Sequence, residues 1–152
     1  MEMQNMLQCA EIQLTYRPVI KAQHRPKFET GRQAYELLLS SWDSGKIEFI
    51  EQFKLMLLSR SNKVLGIYKV GTGGMAGCFV DVKLVFASAL LSCAHSLILA
   101  HNHPPGNLKP SEHDINMTRR IKEAGRVLDI QVLDHIIVTT DGYYSFADEG
   151  II

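Results

Sequence analysis

From Thr30 onward the apolar positions Ala34, Leu37 and Leu38, followed by Ser41 and Trp42, recur at the spacing of one helix face. Thr30 can cap the start and Asp43-Ser44-Gly45 supplies the stop, so a first helix is predicted here. Phe53 to Ser59 is apolar at nearly every position, Arg60-Ser61-Asn62-Lys63 makes a turn, and Val64 to Val70 continues in β-branched and aromatic residues. That pattern predicts a hairpin with a buried first strand. Asp81 can cap a second helix in which Val82, Val85, Phe86, Ala89, Leu90 and Cys93 form one apolar face, ending near His95. Ser96 to Ala100 reads as a short central strand, bounded by the polar, Pro-rich stretch His101 to Pro110. Ser111 to Gly125 reads as a third helix, stopped by Gly125 at C′. Ile130 to Thr139 and Tyr143 to Phe146 predict a last hairpin around Thr140-Asp141-Gly142.

Helices and strands interleave, which places the chain in the α/β or α+β class with a mixed sheet. A length of 152 residues suits one core. Residues 1–28 are Pro-punctuated and too few to hold a core, so they read as an arm with a short edge strand ahead of a domain over 29–152. The loop carrying Gly71, Gly73, Gly74 and Gly77 lacks the Gly-Lys-Ser/Thr of a phosphate-binding loop and reads as a flexible connection.

Charge changes this picture little. Sixteen basic residues balance sixteen acidic ones, so no global field draws the protein to nucleic acid or to an anionic membrane. Arg17, Lys21, His24, Arg25 and Lys27 form the best candidate for a local basic patch, which reads as a solvated arm ahead of a DNA-binding one. Cys9, Cys78 and Cys93 are odd in number and widely spaced, so neither a disulfide framework nor a thiolate metal site is indicated and a reducing cytoplasm fits. Leu97 to Ala100 is far too short to span a membrane, and Met1 to Ala10 lacks the pattern of a signal peptide.

The chemistry concentrates between His101 and Asp114. Two histidines separated by one residue at a strand end project to the same side, and their imidazoles can share one ion. The Pro- and Gly-containing loop then turns the chain back, and Asp114 falls in the first turn of the next helix, where it can add a carboxylate. Two nitrogens and one oxygen make the protein ligand set of a catalytic zinc site, which keeps a fourth position for water and lowers its pKa to about 7. Ser111 and Asp114 by themselves also fit a helix capping box with no metal, and His101 and His103 by themselves fit loop histidines. Their joint placement favours the metal. His113 adjoins Asp114 but points away from it on a helix, His95 and His24 have no partner at ligand spacing, and all three read as surface or structural residues. Asp134 and His135, adjacent on a strand, point to opposite faces, so at most one can face the site and orient a ligand imidazole.

The spacing His-x-His, seven residues, Ser, two residues, Asp resembles the JAMM motif of the JAB/MPN metalloproteases. Leu99-Ala100-His101-Asn102-His103-Pro104-Pro105-Gly106-Asn107, Pro110-Ser111 with Asp114, Val132-Leu133-Asp134-His135-Ile136-Ile137 and Ser145-Phe146-Ala147-Asp148 are similar to the RadC branch of that family. The likeness runs from about Glu48 to Ile152. It implies a curved mixed sheet flanked by helices, in a cytidine-deaminase-like architecture, and a zinc ion held by His101, His103 and Asp114. The family serine falls on Ser111, which can donate to a developing oxyanion. The family acid falls on a glutamate at the start of the first core strand, with Glu48 and Glu51 in competition. Glu51 is preferred because it immediately precedes the apolar strand. It would take a proton from the attacking water and return it to the leaving nitrogen.

Three departures bear on function. Pro105 stands where the branch usually has Ser, removing a hydroxyl and an N–H near the ligands. The glycine loop differs from the pattern expected to cover the site. A chain of 152 residues leaves no room for the helix-hairpin-helix domain of longer members. The expectation is a zinc-dependent metallohydrolase acting on a peptide, amide or isopeptide substrate. Its alternative is a non-catalytic accessory module of DNA repair or mobile elements, with a structural metal and DNA held by the arm.

Overall fold

The computed structural model describes residues 13–74 and 77–152. The chain runs through a 3-10 turn (Ala22–His24), helix α1 (Gly31–Ser40), strands β1 (Gln52–Leu58) and β2 (Val64–Thr72), helix α2 (Val82–Leu91), strand β3 (Ser96–Asn102), helix α3 (Glu112–Val127), and strands β4 (Gln131–Val138) and β5 (Tyr143–Ser145). The strands form one sheet in the order β2-β1-β3-β4-β5. Only β3 and β4 run parallel, because α3 carries the chain back between them; the other pairs are antiparallel. This is the mixed α+β fold expected.

The two-residue period of the strands sorts side chains between two cores. Met56, Leu58, Ile98, Ala100, Ile136 and Val138 pack on one face against Ala34, Tyr35 and Leu38 of α1. Phe53, Leu55, Leu57, Leu97 and Leu99 pack on the other, against Val85, Phe86 and Ala89 of α2 and Ile121 of α3. By that parity His101 points to the α3 face and Asn102 to the α1 face. All of β1 is buried, including Lys54. Its ammonium donates to the Ser41 carbonyl at 2.7 Å and lies 4.2 Å from the centre of the Trp42 ring, so the charge in this apolar run has partners.

Thr30 and Asp81 cap α1 and α2 as expected, accepting from the amides of Gln33 and Lys83. The helix stops differ. α2 ends at Leu91 rather than near His95, because Cys93 turns left-handed (φ 53°) and Ala94 donates back to the Ala89 carbonyl. Leu90 and Cys93, expected on the apolar face, are exposed. α3 runs past Gly125 to Val127 and stops in the same way at Asp129 (φ 54°). Gly125 is inside the helix. A Cβ there would collide with the Ile130 carbonyl and stand 3.5 Å from the Phe86 ring, so this glycine permits close packing rather than ending the helix.

Gly71 and Thr72 belong to β2, Gly73 donates to the Glu51 carbonyl at 2.8 Å and Gly74 bridges to Gly77, so the described glycines are tied to the sheet at the start of β1. Of the expected N-terminal edge strand, the described residues contain one isolated bridge, Lys27 to Lys63; Met1 to Ala10, with Cys9, lies outside them. Residues 16 to 27 follow the β1–β2 hairpin, with Tyr16 donating to the Leu65 carbonyl and Val64 to the Pro26 carbonyl.

Candidate metal centre

β3 continues two residues beyond the apolar run, so His101 is a strand residue rather than the first of a loop, paired with Phe53 of β1 and Ile137 of β4. His103 stands just outside the strand. Its ring is turned by the loop that follows, since Gly106 donates to the His103 carbonyl at 2.9 Å and the Asn107 carbonyl lies 2.8 Å from His103 Nδ1. A carbonyl only accepts, so Nδ1 carries a hydrogen and Nε2 is the atom turned toward His101 and Asp114. α3 begins at the same end of the sheet, where ligand sites form at the carboxyl ends of parallel strands.

Ser111 and Asp114 do form a capping box. The Ser111 amide and hydroxyl both donate to Asp114 Oδ2 at 2.7 Å, and the Asp114 amide donates to the Ser111 oxygen at 3.1 Å. The box uses one carboxylate oxygen. The other, Oδ1, faces His101 Nε2 at 3.4 Å, so capping and metal binding are compatible rather than competing. His103 Nε2 lies 2.9 Å from His101 Nε2 and 3.7 Å from Asp114 Oδ2.

His101, His103 and Asp114 each direct one ligand atom into a space where all lie within 4.8 Å of one another. Four ligands at about 2.0–2.2 Å around a tetrahedral ion stand roughly 3.3–3.5 Å apart. The 3.4 Å separation already fits, and the two imidazole nitrogens need to open by roughly 0.4 Å. The residues therefore fit a small divalent ion bound by two nitrogens and an oxygen.

Electrostatics agree with that set. Burial would raise the Asp114 carboxyl, but hydrogen bonds from His101, His103 and Ser111 hold it far below the usual carboxylate range. Burial would lower His103, yet Asp114, the Asn107 carbonyl and the charge of Glu51 together raise it. Glu51 is half-buried at the start of β1, close enough for its charge to act on both His103 and the Cys78 thiol. Glu48 is exposed and turned elsewhere, accepting from the Thr140 hydroxyl at 3.0 Å.

Of the strand pair, His135 faces the site. Its Nε2 is 2.8 Å from His101 Nδ1, and complete burial keeps the ring neutral. Asp134 points away, accepting from the Ser145 hydroxyl and the Ala147 amide. His24, His95 and His113 are exposed, as expected.

Two contributors have no mark in the motif. Asn102, the residue between the histidines, accepts from the Gln52 amide at 2.7 Å and donates to the carbonyls of Ile47 and Ile50 at 2.7 and 2.9 Å. It thereby pins the segment that carries Glu51 against β3. Thr118, one helical turn after Asp114, places its hydroxyl 2.6 Å from both His135 Nδ1 and the Asp114 carbonyl. The signal for Thr118 was its i+4 spacing from a ligand; Asn102 gave only strand parity.

The description of a RadC-like JAB domain matches residues 28–151. Curated relatives called UPF0758 proteins share 50% identity over 101 residues in Flavobacterium johnsoniae, 44% over 103 in Symbiobacterium thermophilum and 40% over 103 in Porphyromonas gingivalis. Those alignments cover 66–68% of this chain and 44–45% of each relative, so the chain spans less than half the length of the relatives it matches. No helix among the described residues is long and apolar enough to cross a membrane. With the match running through the candidate metal site from one end to the other, the chain belongs to the RadC-like JAB domain family.

Proposed function

We propose that this chain is a zinc-dependent hydrolase of amide bonds in peptide or isopeptide linkage. The observation that carries the reading is the convergence of two imidazole nitrogens and one carboxylate oxygen on a single point, with the other carboxylate oxygen already used by the helix cap. Three protein ligands of this kind are the pattern of catalytic zinc, whereas structural zinc has four and favours cysteine. Bound there, zinc would polarise a substrate carbonyl and lower the pKa of a water molecule to about 7.

The chain's own groups supply the rest. Glu51 is the proton carrier: its carboxylate accepts a proton from the attacking water and returns it to the leaving nitrogen, which departs as a neutral amine. Its influence on His103 and the commitment of Glu48 to Thr140 support that choice. Asn102 holds the Glu51 segment to the ligand strand. Ser111 holds Asp114, and its hydroxyl must turn out of that bond to serve a developing oxyanion. The free thiols of Cys78 and Cys93 support a reducing, cytoplasmic setting.

Protein expressed with zinc and purified without chelator or a nickel column is expected to carry about one zinc per chain. Glu51→Gln should keep that metal and abolish turnover of fluorogenic peptide and isopeptide substrates, while Glu48→Gln keeps both. Protein that stays metal-free after zinc supplementation removes the reading.

A further inference from the structure

We infer that Thr118, which touches no ligand atom of the metal site, sets the hydrogen positions on two buried histidines and so makes His101 present a bare Nε2 to the ion. The inference rests on the metal reading above, but its central claim can be read in metal-free protein.

Thr118 is fully buried on α3, and its hydroxyl has one hydrogen for two neighbours at 2.6 Å. One neighbour, the Asp114 carbonyl, can only accept. Two oxygens 2.6 Å apart with no hydrogen between them would set lone pair against lone pair, so the Thr118 hydrogen lies on that line. Towards His135 the Thr118 oxygen is then an acceptor, and His135 Nδ1 must carry a hydrogen. His135 is sealed from water, with no carboxylate among its hydrogen-bond partners, so the ring is neutral and its Nε2 is a lone pair. That lone pair lies 2.8 Å from His101 Nδ1, which therefore carries a hydrogen and donates it. In the neutral His101 ring the lone pair is then on Nε2, the atom that faces Asp114 Oδ1 and His103 Nε2. Each assignment follows from the one before.

Thr118 also closes a ring through the site. Its hydroxyl holds the backbone of one ligand residue, Asp114 on α3, and through His135 on β4 it orients another, His101 on β3. Outer hydrogen bonds of this kind change metal affinity by about 10–100-fold when removed. Thr118→Val keeps the shape but leaves His135 Nδ1–H without an acceptor in a sealed space. His135 escapes by moving its hydrogen to Nε2 and donating to His101 Nδ1, which puts the His101 hydrogen on Nε2, where the ion belongs.

The test uses long-range proton–nitrogen NMR of the metal-free chain, which distinguishes the two imidazole tautomers, together with a zinc competition titration. Wild type and Thr118→Ser should both show Nδ1–H on His101 and His135. Thr118→Val should show Nε2–H on both and bind zinc about 10–100-fold more weakly, with Thr118→Ser restored to near wild type. An Nε2–H form of His135 in the wild type overturns the inference, whether or not the valine variant folds. So does a folded Thr118→Val with both tautomers and zinc affinity unchanged. A wild type that binds no zinc would instead defeat the metal reading, while its spectrum still decides what Thr118 does.

Discussion

Replacing Asn102 by Asp exchanges one NH2 for an oxygen at constant volume, in a side chain with no solvent exposure. The bond from the Gln52 amide survives. Both donors are lost, and a carboxylate oxygen is set 2.7 and 2.9 Å from the carbonyls of Ile47 and Ile50. Leaving a buried acceptor unpaired costs about 1–3 kcal/mol, so the two together cost about 2–6 kcal/mol before any repulsion is counted. Against a usual domain stability of about 5–15 kcal/mol this is a large fraction, and at about 2–4 °C per kcal/mol the melting temperature should fall on the order of 10 °C. The loss should depend on pH. A neutral acid at 102 recovers one donor, so the folded state favours the protonated form and raises this carboxyl above its unfolded value of about 3.9. Stability relative to wild type is therefore greatest below about pH 4 and is lost as pH rises through the folded pKa. Thermal unfolding followed by circular dichroism at about pH 5 and about pH 7.5 should show the gap to wild type widening at the higher pH. A variant melting within about 2 °C of wild type at both would refute the claim that Asn102 holds the Glu51 segment.

Other perturbations test the helix ends and the charges of the site. Gly125→Ala should destabilise, because the collision with Ile130 and the crowding of Phe86 (about 1–3 kcal/mol) outweigh a helix-propensity gain of about 1 kcal/mol; a higher melting temperature would contradict that packing. Cys93→Gly relieves a left-handed residue and should stabilise by about 1 kcal/mol, seen as a rise of about 2–4 °C in melting temperature. Burial opposes protonation of His103, but Asp114, the Asn107 carbonyl and Glu51 raise its pKa overall. Its contribution is complete below the unfolded value of about 6.5 and is lost as pH rises through the higher folded value. Metal-free protein should thus lose stability on going alkaline from about pH 6.5, a loss absent from zinc-loaded protein; melting curves with and without chelator decide it. Asp114 behaves oppositely: its depressed pKa keeps its contribution above about pH 4 and surrenders it only in stronger acid.

Much of this was written into the chain order. Hydrophobic period identified α1 and α2, because burial on one face leaves a repeat between three and four, and continuous apolar runs identified β1 and β3, which are buried at every position. The caps at Thr30, Asp81 and Ser111 follow from short side chains that reach the next free amides. The ligand trio is also local: His101 and His103 share a strand end, and Asp114 returns at the next helix start, so spacing alone brings them close. The helix stops were hidden because the left-handed residues that follow α2 and α3 are Cys93 and Asp129 rather than glycine, with Ala94 and Ile130 donating back to the carbonyls of Ala89 and Gly125. The supports of the site come from distant parts of the chain. Asn102 meets residues about fifty positions earlier, and the hydrogen-bond route to His101 Nε2 runs through His135, 34 positions later, before reaching Thr118. Periodicity says which face a side chain takes. Only the packing of β1, β3, β4 and α3 decides which polar atoms meet there, and in a buried site each hydrogen goes where its partner can accept it.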